Sequence, residues 1–174
     1  MVLAPAARKT ALTVHVTTSV GWLGAVVVFI VLAVAAVRSR DAAVVEAGYV
    51  AMDLAARYAI VPLAVASLIS GVVSSLGTSW GLVRHWWVLV KFLLIVVATV
   101  VLLLQLAPIS VLADTAAGAG LMSGQWREAR ISLIVHATGG LLVLLAATVL
   151  AVYKPRGMTR YGARRRPQRV NPAP

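Results

Sequence analysis

Four stretches of this chain run for 22 to 28 residues without a Lys, Arg, Asp or Glu: residues 10–37, 58–83, 92–113 and 131–153. A bilayer core is about 30 Å thick, and about 20 apolar residues cross it as a helix. Residues 86–90 extend the third stretch backwards past a single charge, Lys91. Of the 174 residues 61% are hydrophobic and only 12% charged, where soluble domains carry about a quarter charged. The sequence therefore predicts an all-α membrane protein: a four-transmembrane-helix bundle with spans over about 11–37, 58–77, 86–107 and 131–153.

The first stretch has a basic start, Arg8 and Lys9, and leaves through Ala33, Ala35 and Ala36. A secretory h-region is about 7–15 residues, so this longer run reads as a retained helix. With no cysteine, disulfides, thiolate metal sites and Cys nucleophiles are excluded. Arg outnumbers Lys 13 to 3, and heavy Ala and Val use points to a GC-rich bacterial genome.

Four spans put both termini on one side. That side carries Arg8, Lys9, Arg84, Lys91, Lys154, Arg156, Arg160, Arg164, Arg165, Arg166 and Arg169, eleven cations. The other carries five, Arg38, Arg40, Arg57, Arg127 and Arg130, with every acid: Asp41, Glu46, Asp53, Asp114 and Glu128. Excess Lys and Arg marks the cytoplasmic face. The expectation is a multi-pass protein of the bacterial cytoplasmic (inner) membrane with both termini cytoplasmic. Trp80, Trp86 and Trp87 would form a belt at the cytoplasmic interface and Trp126 would sit near the outer one.

Residues 42–57 place Glu46, Asp53 and Arg57 at helical spacing, with Asp53 and Arg57 an i,i+4 pair. They predict an outer amphipathic helix running into span two, with Pro62 in its early turns. Residues 108–130, opened by Pro108, read as an outer loop. Residues 154–174 are too basic and Pro-rich to pack, and read as a disordered tail lying on anionic lipid rather than nucleic acid. Ser67, Gly71 and Ser75 at i, i+4, i+8 form a small-residue stripe for close helix packing. The same reading covers Gly21, Gly24, Gly139 and Gly140. Such stripes also leave open a homo-oligomer.

Ionisable groups at membrane depth are costly, which makes them functional candidates. At about 1.5 Å per residue, His15 and Lys91 each lie about one turn inside the cytoplasmic end, with His85 just before span three. His136 lies near the outer end of span four with Gln105 as its neighbour, and the two layers are roughly 15–20 Å apart. Each has a plain structural alternative. Lys91 can snorkel to the interface. His15 can bond a neighbouring hydroxyl or backbone, His85 a headgroup, and His136 Thr138 or Gln105. Trp22, away from both belts, reads as a packing residue. If functional, neutral imidazoles are metal or haem-iron ligands. His15 with His85 could supply an axial pair, whereas His136 has no second histidine at its level. A copper site is poorly supported, because Met52 and Met122 lie on the outer side and Met1 and Met158 in terminal segments. The metal, if any, is left unassigned.

The segment "LTVHVTTSVGWLGAVVVF", with His15 and Trp22 seven apart, and "SWGLVRHWWVLVKFLL", which opens span three, carry a resemblance. The chain resembles a bacterial family of four-helix integral membrane proteins of unassigned function, over residues 10–153. More distantly it is similar to HemJ-type protoporphyrinogen oxidases and to the CopD-type membrane domain. HemJ-type proteins have a histidine early in span one, a tryptophan seven residues on and a lysine early in a central span. The resemblance implies that His15 and Lys91, with His85 or His136 auxiliary, hold a haem (haem b) or porphyrin. Three functions stand at this point: an accessory or scaffold membrane protein without enzymatic chemistry, a haem- or porphyrin-binding protein, and a small transport component for a metal ion or solute.

Overall fold

In the computed structural model, residues 4–77, 81–117 and 124–164 are described; Met1, Trp80, Met122, Arg165, Arg166 and Arg169 lie outside them. The architecture is a four-helix bundle whose four helical spans are each long and apolar enough to cross a membrane. Helix α1 is Pro5–Arg38, α2 Ala42–Ala55, α3 Val61–Leu76, α4 Trp86–Ala117, α5 Arg127–Tyr153 and α6 Arg160–Arg164. A π-helical turn, Ala56–Ile60, joins α2 to α3 into one continuous rod. Helix α1 packs against α2, α3 and α5, and α4 packs against the same three, so α1 and α4 lie diagonally across the bundle.

The local boundaries follow from ordinary capping. Pro5 opens α1, where its missing N–H costs nothing. Ser39 Oγ accepts from the Asp41 N–H at 3.1 Å, and Asp41 Oδ1 accepts from Ala43 N–H at 2.9 Å, capping α2. Helix α5 starts with Glu128 in its first turn, and it ends at Lys154 in the left-handed conformation, φ 43°, with Pro155 next.

Along α1 the buried residues are Trp22, Val26, Phe29, Ala33 and Ala36, alternating four and three apart, the seam of left-handed helix packing. Along α2 the seam is Val45, Tyr49, Met52 and Ala56; the next buried position is Ile60, one residue later than the alternation requires. The π turn supplies that extra residue, with Val61 N–H reaching back to the Ala56 carbonyl. Pro62 explains why it is there. A regular helix would drive its ring into the Tyr58 carbonyl, and the wider turn relieves that clash. The helix over 42–57 thus belongs to the bundle itself, burying Val45, Tyr49 and Met52 while Glu46 stays exposed. Its Asp53–Arg57 pair forms, with Arg57 Nε donating to both carboxylate oxygens at 3.0 Å.

Two readings are corrected. Pro108 does not open a loop: α4 continues through it to Ala117. Ile109, Leu112, Ala113 and Ala116 are buried beyond the proline, so the packing of these last turns outweighs one lost backbone bond. The segment after α5 does pack as far as it is described. Thr159 is buried, its N–H donates to the Arg84 carbonyl at 3.1 Å, and its hydroxyl donates to the Val83 carbonyl at 2.7 Å. Gly162 rests on the Arg84 carbonyl so closely that no side chain fits there.

Candidate functional site

The bundle has two ends, one around His15 and the other around Tyr49: the His15 end and the Tyr49 end. At the His15 end, α1 and α3 approach along small residues. An added Cβ at Gly71 would lie 3.0 Å from His15 Cε1, so the imidazole packs directly against the glycine. His15 Nδ1 is 3.1 Å from the Ser67 carbonyl and 3.2 Å from Ser70 Oγ. The carbonyl can only accept, and Ser70 Oγ already donates to the Ala66 carbonyl at 2.6 Å. Both partners therefore ask for a proton on Nδ1, which leaves the Nε2 lone pair as the outward-facing group. Nε2 meets Lys91 Nζ of α4 at 3.5 Å, the outer limit of a hydrogen bond. One turn deeper Ser19 and Ser67 hydroxyls share a bond of 2.7 Å, a second polar link between α1 and α3.

His15 and Lys91 line a half-open cavity of about 790 Å³ bordered by α1, α3, α4 and α5. Its walls are largely apolar, with Leu12, Val16, Leu68, Ile95 and Val152 among them, and Arg8, Lys9 and Lys154 also line it. A second cavity of about 320 Å³ lies further along the bundle, lined by Gln105, His136, Gly139 and Gly140. Trp22 and Leu144 border both cavities.

Of the residues singled out in the sequence, His15 and Lys91 come together. His85 does not join them. It precedes α4, its backbone pairs with Met158, its carbonyl accepts from Val88 and Leu89 at 3.2 Å each, and it is not part of the cavity wall. His136 is exposed, and its Nδ1 contacts the Ser132 carbonyl of its own helix at 2.7 Å; it shares the second cavity with Gln105. The described residues contain no group of three or more His, Asp or Glu side chains placed to hold a metal ion. Trp22 is buried, 3% exposed, as a packing residue should be. The close-packing reading holds for Gly21, where a Cβ would sit 3.3 Å from Leu63, and fails for Gly24, Gly139 and Gly140, where it would meet nothing within 4 Å.

Sequence reasoning passed over Ser67 and Ser70 as ligands of the imidazole. The signal was present: Ser67, Ser70, Gly71 and Ser74 recur at three and four residues on α3, matching His15 and Ser19 four apart on α1. It also passed over Arg130, whose Nη2 donates to the Ala36 carbonyl at 2.8 Å and whose Nε donates to the Tyr49 hydroxyl at 3.1 Å. No protein-family model, curated protein or solved structure matches the chain.

Proposed function

We propose that this protein resides in a bacterial cytoplasmic membrane, with both termini cytoplasmic, and binds a membrane-borne ligand around His15 and Lys91. The eleven-to-five cation asymmetry supports the orientation. One observation carries the binding reading: His15 is held at Nδ1 by α3 and directs Nε2 toward Lys91 on the wall of a cavity of about 790 Å³. An imidazole oriented through one ring nitrogen by a backbone carbonyl has the support typical of a ligating histidine. A protein serving only as a scaffold gains nothing from an ammonium set beside it.

Haem or porphyrin is the ligand to test first, because the resemblance to HemJ-type proteins runs through these two residues. His15 would hold the haem through Nε2, and the haem would supply redox or oxygen chemistry when bound. The described cavity wall holds no second imidazole and no thioether, so it suits one histidine ligand, with Lys91 on the same wall. The protein, purified in a mild detergent, should develop a Soret band on adding haem. His15→Ala should remove it, and Lys91→Ala should weaken or shift it. A protein that stays colourless with haem and non-fluorescent with zinc protoporphyrin returns the chain to the accessory or scaffold role.

The shared border at Trp22 and Leu144 favours a second reading, a small transport component, since movement of these two side chains would join two neighbouring cavities. In that case Trp22→Ala raises metal-ion or solute flux in proteoliposomes, and unchanged flux removes the reading.

A further inference from the structure

The cavity at the His15 end has a charge pattern that an imidazole ligand does not account for. Lys91 stands on its wall together with Arg8, Lys9 and Lys154, and no Asp or Glu lines it. The chain's five acids lie elsewhere: Asp41, Glu46 and Asp53 beside or within α2, Asp114 near the end of α4 and Glu128 at the start of α5. All belong to the Tyr49 half. Among the described residues no Asp or Glu side chain therefore stands on the wall that carries Lys91. A half-buried ammonium whose neighbour is a neutral ring is costly unless an anion reaches it.

The remainder of the wall argues for what is attached to that anion. Val16, Leu68 and Ile95 extend the cavity as apolar surface toward Trp22. At about 790 Å³ it falls within the roughly 300–1,000 Å³ of sites for small molecules. Cations at one end of an apolar cavity match a molecule that is charged at one end and hydrocarbon at the other.

We propose that this cavity binds a single-chain amphiphile with an anionic head, carboxylate or phosphate, the head held by Lys91 with Arg8, Lys9 and Lys154 and the chain lying along Val16, Leu68 and Ile95. The proposal rests on the reading of this cavity as a ligand site, and it does not depend on a tetrapyrrole. Lys91 sets the head at the level of His15, whose Nε2 accepts from the ammonium and turns its remaining protons toward the anion.

The test uses the full chain in a neutral non-ionic detergent and an anthroyloxy-labelled fatty acid, read by energy transfer from the cavity tryptophans Trp22 and Trp87. Oleate and lysophosphatidate should displace the probe at least about tenfold more effectively than oleyl alcohol or lysophosphatidylcholine. Lys91→Gln should abolish that preference and Lys91→Arg should keep it. The double variant Lys9→Gln with Lys154→Gln, both exposed positions, should reduce it in part, and it decides the matter alone if Lys91→Gln does not fold. Inorganic phosphate should leave the probe bound. Oleyl alcohol competing as well as oleate, an unchanged preference in these variants, or phosphate displacing the probe as well as oleate would each overturn the proposal. The two readings fail separately. A missing Soret band with the oleate preference intact removes only the tetrapyrrole, and a Soret band without that preference removes only the amphiphile.

Discussion

The Tyr49 end and the His15 end hold the same four rods together by different means. At the Tyr49 end, Tyr49, Met52 and Leu112 are fully buried. Gly48 brings α2 against α1 so closely that an added Cβ would lie 3.0 Å from Ala36 Cβ. Arg130 then ties α5 to both neighbours, through the Ala36 carbonyl and the Tyr49 hydroxyl. Its guanidinium carbon is 5.9 Å from the Tyr49 ring centroid, and the short contact to the hydroxyl shows a hydrogen bond rather than face stacking. At the His15 end the links are polar and local, Ser19 to Ser67 and His15 to Ser67 and Ser70, and beside them the side chains leave open space. Lipid tails are as apolar as Leu, so helices in a membrane associate through packing and through hydrogen bonds rather than by escaping water. One end of this bundle uses mainly the first and gains rigidity. The other uses mainly the second and keeps room for a guest.

That contrast can be broken experimentally, most forcefully in the packed half. Met52→Ala removes a fully buried side chain that has no space to collapse into, and should cost about 2–5 kcal/mol in thermal or denaturant unfolding in detergent. Val16→Ala on the cavity wall should cost about 0.5 kcal/mol or less, and equal losses at the two sites would erase the distinction.

A pair of glycines sharpens it next. Gly48→Ala pushes on Ala36 Cβ, which is fixed to its backbone, so α1 and α2 must separate at about 1–3 kcal/mol. Gly71→Ala presses with the same 3.0 Å approach on the His15 ring, which can rotate away. Its melting temperature should therefore move less than that of Gly48→Ala, while its ligand binding should fall more.

Smaller effects belong to the hydroxyls. Ser19→Ala deletes one interhelical bond and should cost about 0.6 kcal/mol, the average for such bonds in membranes, measured by the same unfolding assay. Ser74 Oγ is buried on the cavity wall and has no partner among the described residues, so Ser74→Ala should be neutral or slightly stabilising, within about 0.5 kcal/mol. A clear loss at Ser74 would reveal a partner in the cavity.

Much of this site was legible before any coordinates. His15 inside the first apolar run and Lys91 at the start of the third fall at similar levels, because rise per residue is constant along a helix. Depth is only one coordinate, however. His85 falls near the same end by sequence, yet its segment turns to pair with Met158, a contact between residues too far apart for local pattern to foresee. The glycines of α5 looked like Gly71 of α3, but a small residue brings helices together only where a partner faces it, and none lies within 4 Å of Gly139 or Gly140. Pro108 misled for a related reason. Its local penalty is real, and the buried residues that outweigh it are held by other helices.

The sequence by itself determined the number of long apolar spans, their composition and the level of each polar group along its helix, because these depend on run length and charge alone. Tertiary structure decided which groups share a face: that His15 lies on Gly71 with Nε2 toward Lys91, that a π turn keeps the α2–α3 seam pointing inward, and that the space between helices opens at one end. Rotation about a helix axis leaves every local preference satisfied. Only contact with the neighbouring helices selects among its values, and so the orientation of the site could not be read from the chain alone.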